Sequence, residues 1–104
     1  MITRTGKQTA IDRRLADVPA DKVFWANDGR IIKNMVELGE ALNAMSDDVF
    51  KYHSNEAKTD FSHWVGEVIG DDSLARRLQK ASNREEAARA VSERIAQLRP
   101  KASR

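Results

Sequence analysis

Cysteine is absent from this 104-residue chain, which excludes a disulfide framework, a thiolate metal site and a cysteine nucleophile. No apolar run approaches the roughly 18 residues of a membrane-spanning helix, so no membrane partner is expected. The first residues, MITRTGKQTAIDRRL, contain no continuous apolar stretch of the secretory-signal kind, and the expected location is cytoplasmic. With one Tyr and three Phe, there is little material for a base-stacking platform. Phosphate-cradling G-x-x-x-x-G-K-[ST] and G-x-G-x-x-G loops are missing, as are an H-E-x-x-H pair and an EF-hand loop. No cofactor is therefore expected, and enzymatic activity is disfavoured.

The composition, 40% hydrophobic and 33% charged, is that of a small globule with a modest core and a heavily solvated surface. The net charge of +2 hides an uneven distribution. Residues 1–14 carry Arg4, Lys7, Arg13 and Arg14 against Asp12, and residues 99–104 carry Arg99, Lys101 and Arg104. Between them lie 11 basic and 15 acidic residues, a mildly acidic body with basic ends. Such ends can hold a polyanion loosely, although solubility alone accounts for them. The pattern divides into a flexible basic arm over 1–20, one helical domain over 21–99, and a basic tail over 100–104.

Punctuation along the chain predicts a mainly α fold: a small bundle of four to five short helices with a short N-terminal β-hairpin. In KVFWANDGRII, two β-prone runs flank Asn27-Asp28-Gly29, which reads as a hairpin or an extended turn. Asn34 and Glu37 have capping-box spacing, and Met35, Leu38, Leu42 and Met45 line one helical face. Gly39 inside that helix costs roughly 1 kcal/mol relative to alanine, which a close backbone approach would explain. Ser46 is the next expected cap, ahead of Val49, Phe50 and Tyr52. A central helix, able to start just after Asn55, carries Phe61, Trp64, Val65, Val68 and Ile69 as the densest apolar stripe and stops at Gly70. It is the expected hub of the core. Asp71 or Asp72 caps a helix with Leu74 and Leu78 inward. Ser82 and Glu85, at capping-box spacing, open the last helix, with Val91 and Ile95 on its inner face.

Both histidines fall in YHSNEAKTDFSHW. His63 lies with Glu56, Asp60 and Glu67 along one predicted outward stripe, where a solvated helix face explains it without a metal. His53 falls on the inward side at a helix end. There it can bond the last free carbonyls of its helix, touch a partner, or meet Asp60 and Asp28 as acid–base partners around a pocket. The paired acids Asp47-Asp48 and Asp71-Asp72 are explained first by helix capping. Arg76, Arg77, Lys80 and Arg84 form the best basic patch, diluted by Asp71, Asp72, Glu85 and Glu86. Trp25 belongs to a hairpin with more large apolar residues than one buried face requires.

The order of segments resembles a family of small uncharacterised prokaryotic domains: a short aromatic strand, a DGR turn, a NMVELGEAL-type helix, then YH, DFSHWV, IGD and LARRL. The matching positions are Tyr52, His53, Asp60, Phe61, Trp64, Val65, Gly70, Leu74 and Ala75, within roughly residues 22–80. The chain departs from that pattern at Thr59, where the family has Asn, and at Ser62-His63, so the resemblance gives His63 no role. It implies an all-helical core behind a hairpin, with no reaction or cofactor to carry over, and it draws attention to His53 and Asp60. The functional expectation is a non-enzymatic interaction domain for a protein partner. The alternative is weak, sequence-nonspecific nucleic-acid binding through the basic ends and the Arg76–Arg84 face. Candidate binding residues are Trp25, His53, Asp60, Arg76, Arg77 and Lys80.

Overall fold

In KVFWANDGRII the chain pairs as strands. A computed structural model, which describes residues 12–99, places β1 (Phe24–Trp25) antiparallel to β2 (Ile31–Ile32), with Phe24 opposite Ile32 and Trp25 opposite Ile31. The turn is closed by Ala26 N–H donating to the Arg30 carbonyl and Gly29 N–H donating to the Ala26 carbonyl, each at 2.9 Å. Gly29 sits at φ +92°, the left-handed conformation that ends a three-residue hairpin loop of this kind. Asp28 Oδ1 accepts from Arg30 N–H at 3.0 Å and stiffens the return. Because strand side chains alternate, Phe24 and Ile32 enter the core while Trp25 and Ile31 face outward.

Five α-helices follow, so the molecule is a mainly helical domain with a small N-terminal hairpin. Helix α1 (Met35–Ala44) begins where Asn34 Oδ1 accepts from Glu37 N–H at 2.8 Å. Glu37 returns the favour one residue further out than the capping-box reading has it, accepting from Lys33 N–H at 2.9 Å. Met35, Leu38 and Leu42 are fully buried. Helix α2 (Asp47–His53) is capped by Ser46, which accepts from Val49 N–H at 3.2 Å, and buries Phe50 and His53 while leaving Tyr52 exposed.

The central helix starts later than expected. Asn55 Oδ1 accepts from both Ala57 N–H (2.8 Å) and Lys58 N–H (3.2 Å), and Asn55 N–H donates to the Lys58 carbonyl, which ties residues 55–58 into a turn. Helix α3 therefore spans only Asp60–Trp64, Glu56 lies off its face, and Ala57 is exposed. Beyond it, Val65–Ile69 widens into a π turn in which Gly70 N–H reaches back to the Val65 carbonyl at 2.8 Å. The extra residue in that turn rotates Val68 and Ile69 away from the stripe of Phe61, Trp64 and Val65, and both are only half-buried. Gly70, at φ +85°, ends the segment in the left-handed conformation expected of a helix stop.

Helix α4 (Asp72–Lys80) is capped by Asp71, whose Oδ1 accepts from Leu74 N–H at 3.1 Å, and buries Leu74, Ala75 and Leu78. Helix α5 (Arg84–Leu98) is capped by Asn83, not Ser82. Asn83 Oδ1 accepts from Glu86 N–H at 2.8 Å and Glu86 Oε1 accepts from Ser82 N–H at 2.7 Å. The expected Ser82–Glu85 pair is thus displaced by one residue, and Asn serves as well as Ser at such a position.

The core has two centres. At one, the rings of Phe24, Phe50, Phe61 and Trp64 meet, with centroid separations of 5.1 Å for Phe24–Phe61 and 5.9 Å for Phe50–Phe61. The other is the α1–α5 interface, the most extensive contact between elements, so α3 is not the sole hub. A β-carbon at Gly39 would lie 3.2 Å from Val91 Cγ1, which supplies the close approach that the glycine implied. Arg84 locks the other side of α1: its Nη1 donates to the Leu42 carbonyl and its Nε to Asp47 Oδ1, both at 3.0 Å.

Residues 12–20, assigned above to the arm, lie against this body. Val18 N–H donates to the Lys33 carbonyl at 2.8 Å, and Leu15 and Val18 pack on the core. Just after them, the Lys22 carbonyl accepts from Trp64 Nε1 at 2.8 Å. The rest of the arm and the tail, residues 1–11 and 100–104, lie outside the described residues.

Candidate functional site

His53 closes α2 with its ring turned inward among Phe24 and Phe61, at centroid distances of 5.0 and 5.3 Å. Both ring nitrogens are engaged. Nε2 accepts from the backbone N–H of Asn27 in the hairpin turn at 2.8 Å, and Nδ1 lies 3.0 Å from Asp60 Oδ2 at the start of α3. A backbone amide can only donate, so Nε2 holds a lone pair and the proton resides on Nδ1, donating to the carboxylate. One imidazole thereby joins three elements: β-hairpin, α2 and α3.

Asp60 is shared. Lys58 Nζ lies 3.1 Å from the same Oδ2 and 4.5 Å from the centroid of the Tyr52 ring. Partial burial would raise the Asp60 pKa. The hydrogen bonds from His53 and Lys58, with the charge of Lys58, outweigh it and hold the carboxyl below its usual range. The sequence pairing of His53 with Asp60 is thus realised in space, while Asp28 turns its carboxylate to Arg30 and takes no part. Nor does His53 cap the carbonyls of its own helix. That task falls to Asn55, whose Nδ2 donates to the Lys51 carbonyl at 2.7 Å.

The pair has the residue types of an acid–base dyad without the access. His53 is 4% exposed, both of its nitrogens are committed, and neither His53 nor Asp60 lines the cleft of about 550 Å³ between α2 and the α4–α5 loop. General catalysis needs a nitrogen within reach of a substrate proton. His63 is exposed. Among the described residues no group of three or more His, Asp or Glu is placed to hold a metal ion.

The remaining candidates lie elsewhere. Trp25, 67% exposed, and Ile31, 45% exposed, face each other across the hairpin. Since Ala26 and Arg30 form the hydrogen-bonded pair next to the turn, Trp25 and Ile31 occupy the following non-hydrogen-bonded position, where cross-strand side chains approach most closely. The predicted basic patch is split. Arg84 faces inward on α1, and Arg77 is paired with Glu93 at 2.9 Å. Arg76 and Lys80 are exposed on α4, and a shallow groove beside α5 brings Arg77 and Lys80 together with Arg89 and Glu86.

Sequence reasoning missed the backbone of Asn27 as a partner of His53, which no side-chain pattern announces. It also missed the pairing of buried Asp71 with the half-buried Arg94, whose signal was an arginine on the half-apolar face of α5. No helix among the described residues is long and apolar enough to cross a membrane. Comparison with protein-family models, with curated proteins and with solved structures finds no match to this chain.

Proposed function

We propose that the protein is a non-enzymatic, cytoplasmic interaction domain, like the small prokaryotic domains it resembles, and that it meets a protein partner through the outward face of its hairpin. The observation that carries this reading is the paired exposure of Trp25 and Ile31 on a strand pair whose opposite face is buried. Neither side chain is needed for the core, and tryptophan is the residue type most enriched where binding energy concentrates. The committed nitrogens of His53 speak against a reaction at the only His–Asp pair in the corner. The reading is tested by placing a photo-crosslinking residue at position 25 and, as a control, at position 51 in the living cell. Discrete protein adducts from position 25 alone are expected. An adduct pattern no different from that of the control overturns it.

A second reading rests on the groove that gathers Arg77, Lys80 and Arg89 beside Glu86, with Arg76 exposed on the same helix. It is weak binding of nucleic acid through phosphates, with little sequence preference and a steep loss of affinity as salt rises. The double variant R76E/K80E leaves folding intact and abolishes retention on a DNA duplex at low salt. Retention that the charge reversal leaves unchanged removes this reading.

A further inference from the structure

We infer that His53 is an acid-sensitive latch that fastens the tip of the hairpin to the helical body. The Asn27 amide at 2.8 Å can only donate, so Nε2 must accept, and the link requires the neutral ring protonated at Nδ1. A proton taken up by the ring can go only to Nε2, where it meets a second N–H. The attraction to Asn27 becomes a clash of two donors, while the bond to Asp60 gains a charge and persists. The ring is buried, so water cannot relieve the clash unless the turn moves away.

The groups around the ring favour this outcome. Asp60, on α3, holds it on the far side from the turn. Lys58, from the connecting loop, is on that same carboxylate at 3.1 Å. Tyr52 stands edge-on from α2 at 4.9 Å, and Phe24 and Phe61 close the remaining sides with apolar surface. Asp28, next to Asn27, offers no rescue because its carboxylate is taken by Arg30 N–H at 3.0 Å and lies 3.5 Å from Arg30 Nε.

The base of the hairpin has separate ties. Trp64 Nε1 holds the Lys22 carbonyl and Val18 N–H holds the Lys33 carbonyl, each at 2.8 Å. Releasing Asn27 therefore lifts residues 26–30 about a fixed base and reorients Trp25 and Ile31. As a statement about the free chain, the latch stands apart from any partner; as regulation of the hairpin face, it rests on the reading proposed above.

The test uses the ¹⁵N-labelled full chain. At neutral pH, ring ¹⁵N spectra are expected to show His53 as the Nδ1–H tautomer. As pH is lowered stepwise from neutral, the Asn27 amide peak should move in step with the His53 ring. Its exchange protection, corrected for intrinsic rates, should fall by about tenfold or more. H63Q leaves that response in place. H53Q presents an oxygen near the position of Nε2 that accepts but cannot titrate, and it should abolish the response. An Nε2–H tautomer, an Asn27 response that follows His63, or a His53 ring that titrates without moving Asn27 overturns the latch. So does a ring that stays neutral until the chain unfolds. The tautomer and H63Q arms decide the matter even if H53Q does not fold. The latch also survives if position 25 gives no crosslink, since every readout here is made on the protein alone.

Discussion

Arg94 donates through Nε to Asp71 Oδ2 at 2.8 Å, and the Asp71 carboxylate it meets is 1% exposed. The other oxygen of Asp71 caps α4, so one buried acid ties the start of α4 to the outer half of α5. Truncating Arg94 leaves the buried Asp71 carboxylate without its charged partner. R94A is expected to cost about 3–5 kcal/mol, read as a lower urea midpoint at an unchanged slope. R94A/D71N, which keeps a capping oxygen and removes the charge, should recover part of the loss. A double variant as unstable as the sum of the singles would show that the pair is not coupled.

Helix α1 meets α5 at Gly39, where an added β-carbon would sit 3.2 Å from Val91 Cγ1. Alanine at position 39 gains about 1 kcal/mol of helix propensity and loses a comparable amount in moving Val91, so G39A should lie near neutral. Valine adds branches that the interface cannot absorb, and G39V should destabilise by about 1–3 kcal/mol. Thermal unfolding of G39V, V91A and the double variant checks the cause. The two changes should be non-additive in the favourable direction, by about 0.5 kcal/mol or more.

The elements most legible in the sequence are those set by local chemistry. Asn34, Ser46, Gly29 and Gly70 each act within a few residues, and each does what its neighbours imply. The misjudged features depend on competition between neighbours. Asn55 outbids the helix for the amides of Ala57 and Lys58, and Asn83 takes the cap from Ser82. The π turn at Val65–Ile69 has no local signature in VGEVI, so the turning of Val68 to the edge of the core was hidden. His53 and Asp60 were singled out, but the partner that explains the ring is a main-chain amide 26 residues away. Long-range backbone contacts leave no trace in residue identity.

Trp64 holds two roles that substitution separates. Its ring packs edge-on to Phe24 at 5.8 Å, and its Nε1 donates to the Lys22 carbonyl at 2.8 Å. W64A removes both and should cost about 3–5 kcal/mol. W64F keeps most of the apolar contact and loses the hydrogen bond, worth about 1 kcal/mol, so it should fall well short of W64A. It should also raise amide exchange through residues 18–23, because the tie to Lys22 is gone. Unfolding free energies equal for the two variants would place the whole contribution in the indole N–H.

Asp60 predicts the direction of the acid limb of stability. Its carboxyl, held low by His53 and Lys58 against the opposing effect of burial, is more acidic in the folded chain than the value near 3.9 of an unfolded aspartate. The stabilisation is therefore fully present above about pH 4 and is lost as pH falls through the folded-state value. Asp12, held lower still by the Arg14 guanidinium, contributes in the same sense and keeps part of the slope in any Asp60 variant. D60N retains an oxygen for His53 Nδ1–H but gives up the charge that Lys58 meets. It should be less stable than the native chain at pH 7, and the gap should narrow on acidification below pH 4. Urea midpoints of both proteins at pH 7, 5 and 3 make the comparison. A gap that does not narrow between pH 5 and pH 3 would mean that the Asp60 charge does not stabilise the corner, and that His53 is held by its hydrogen bonds alone.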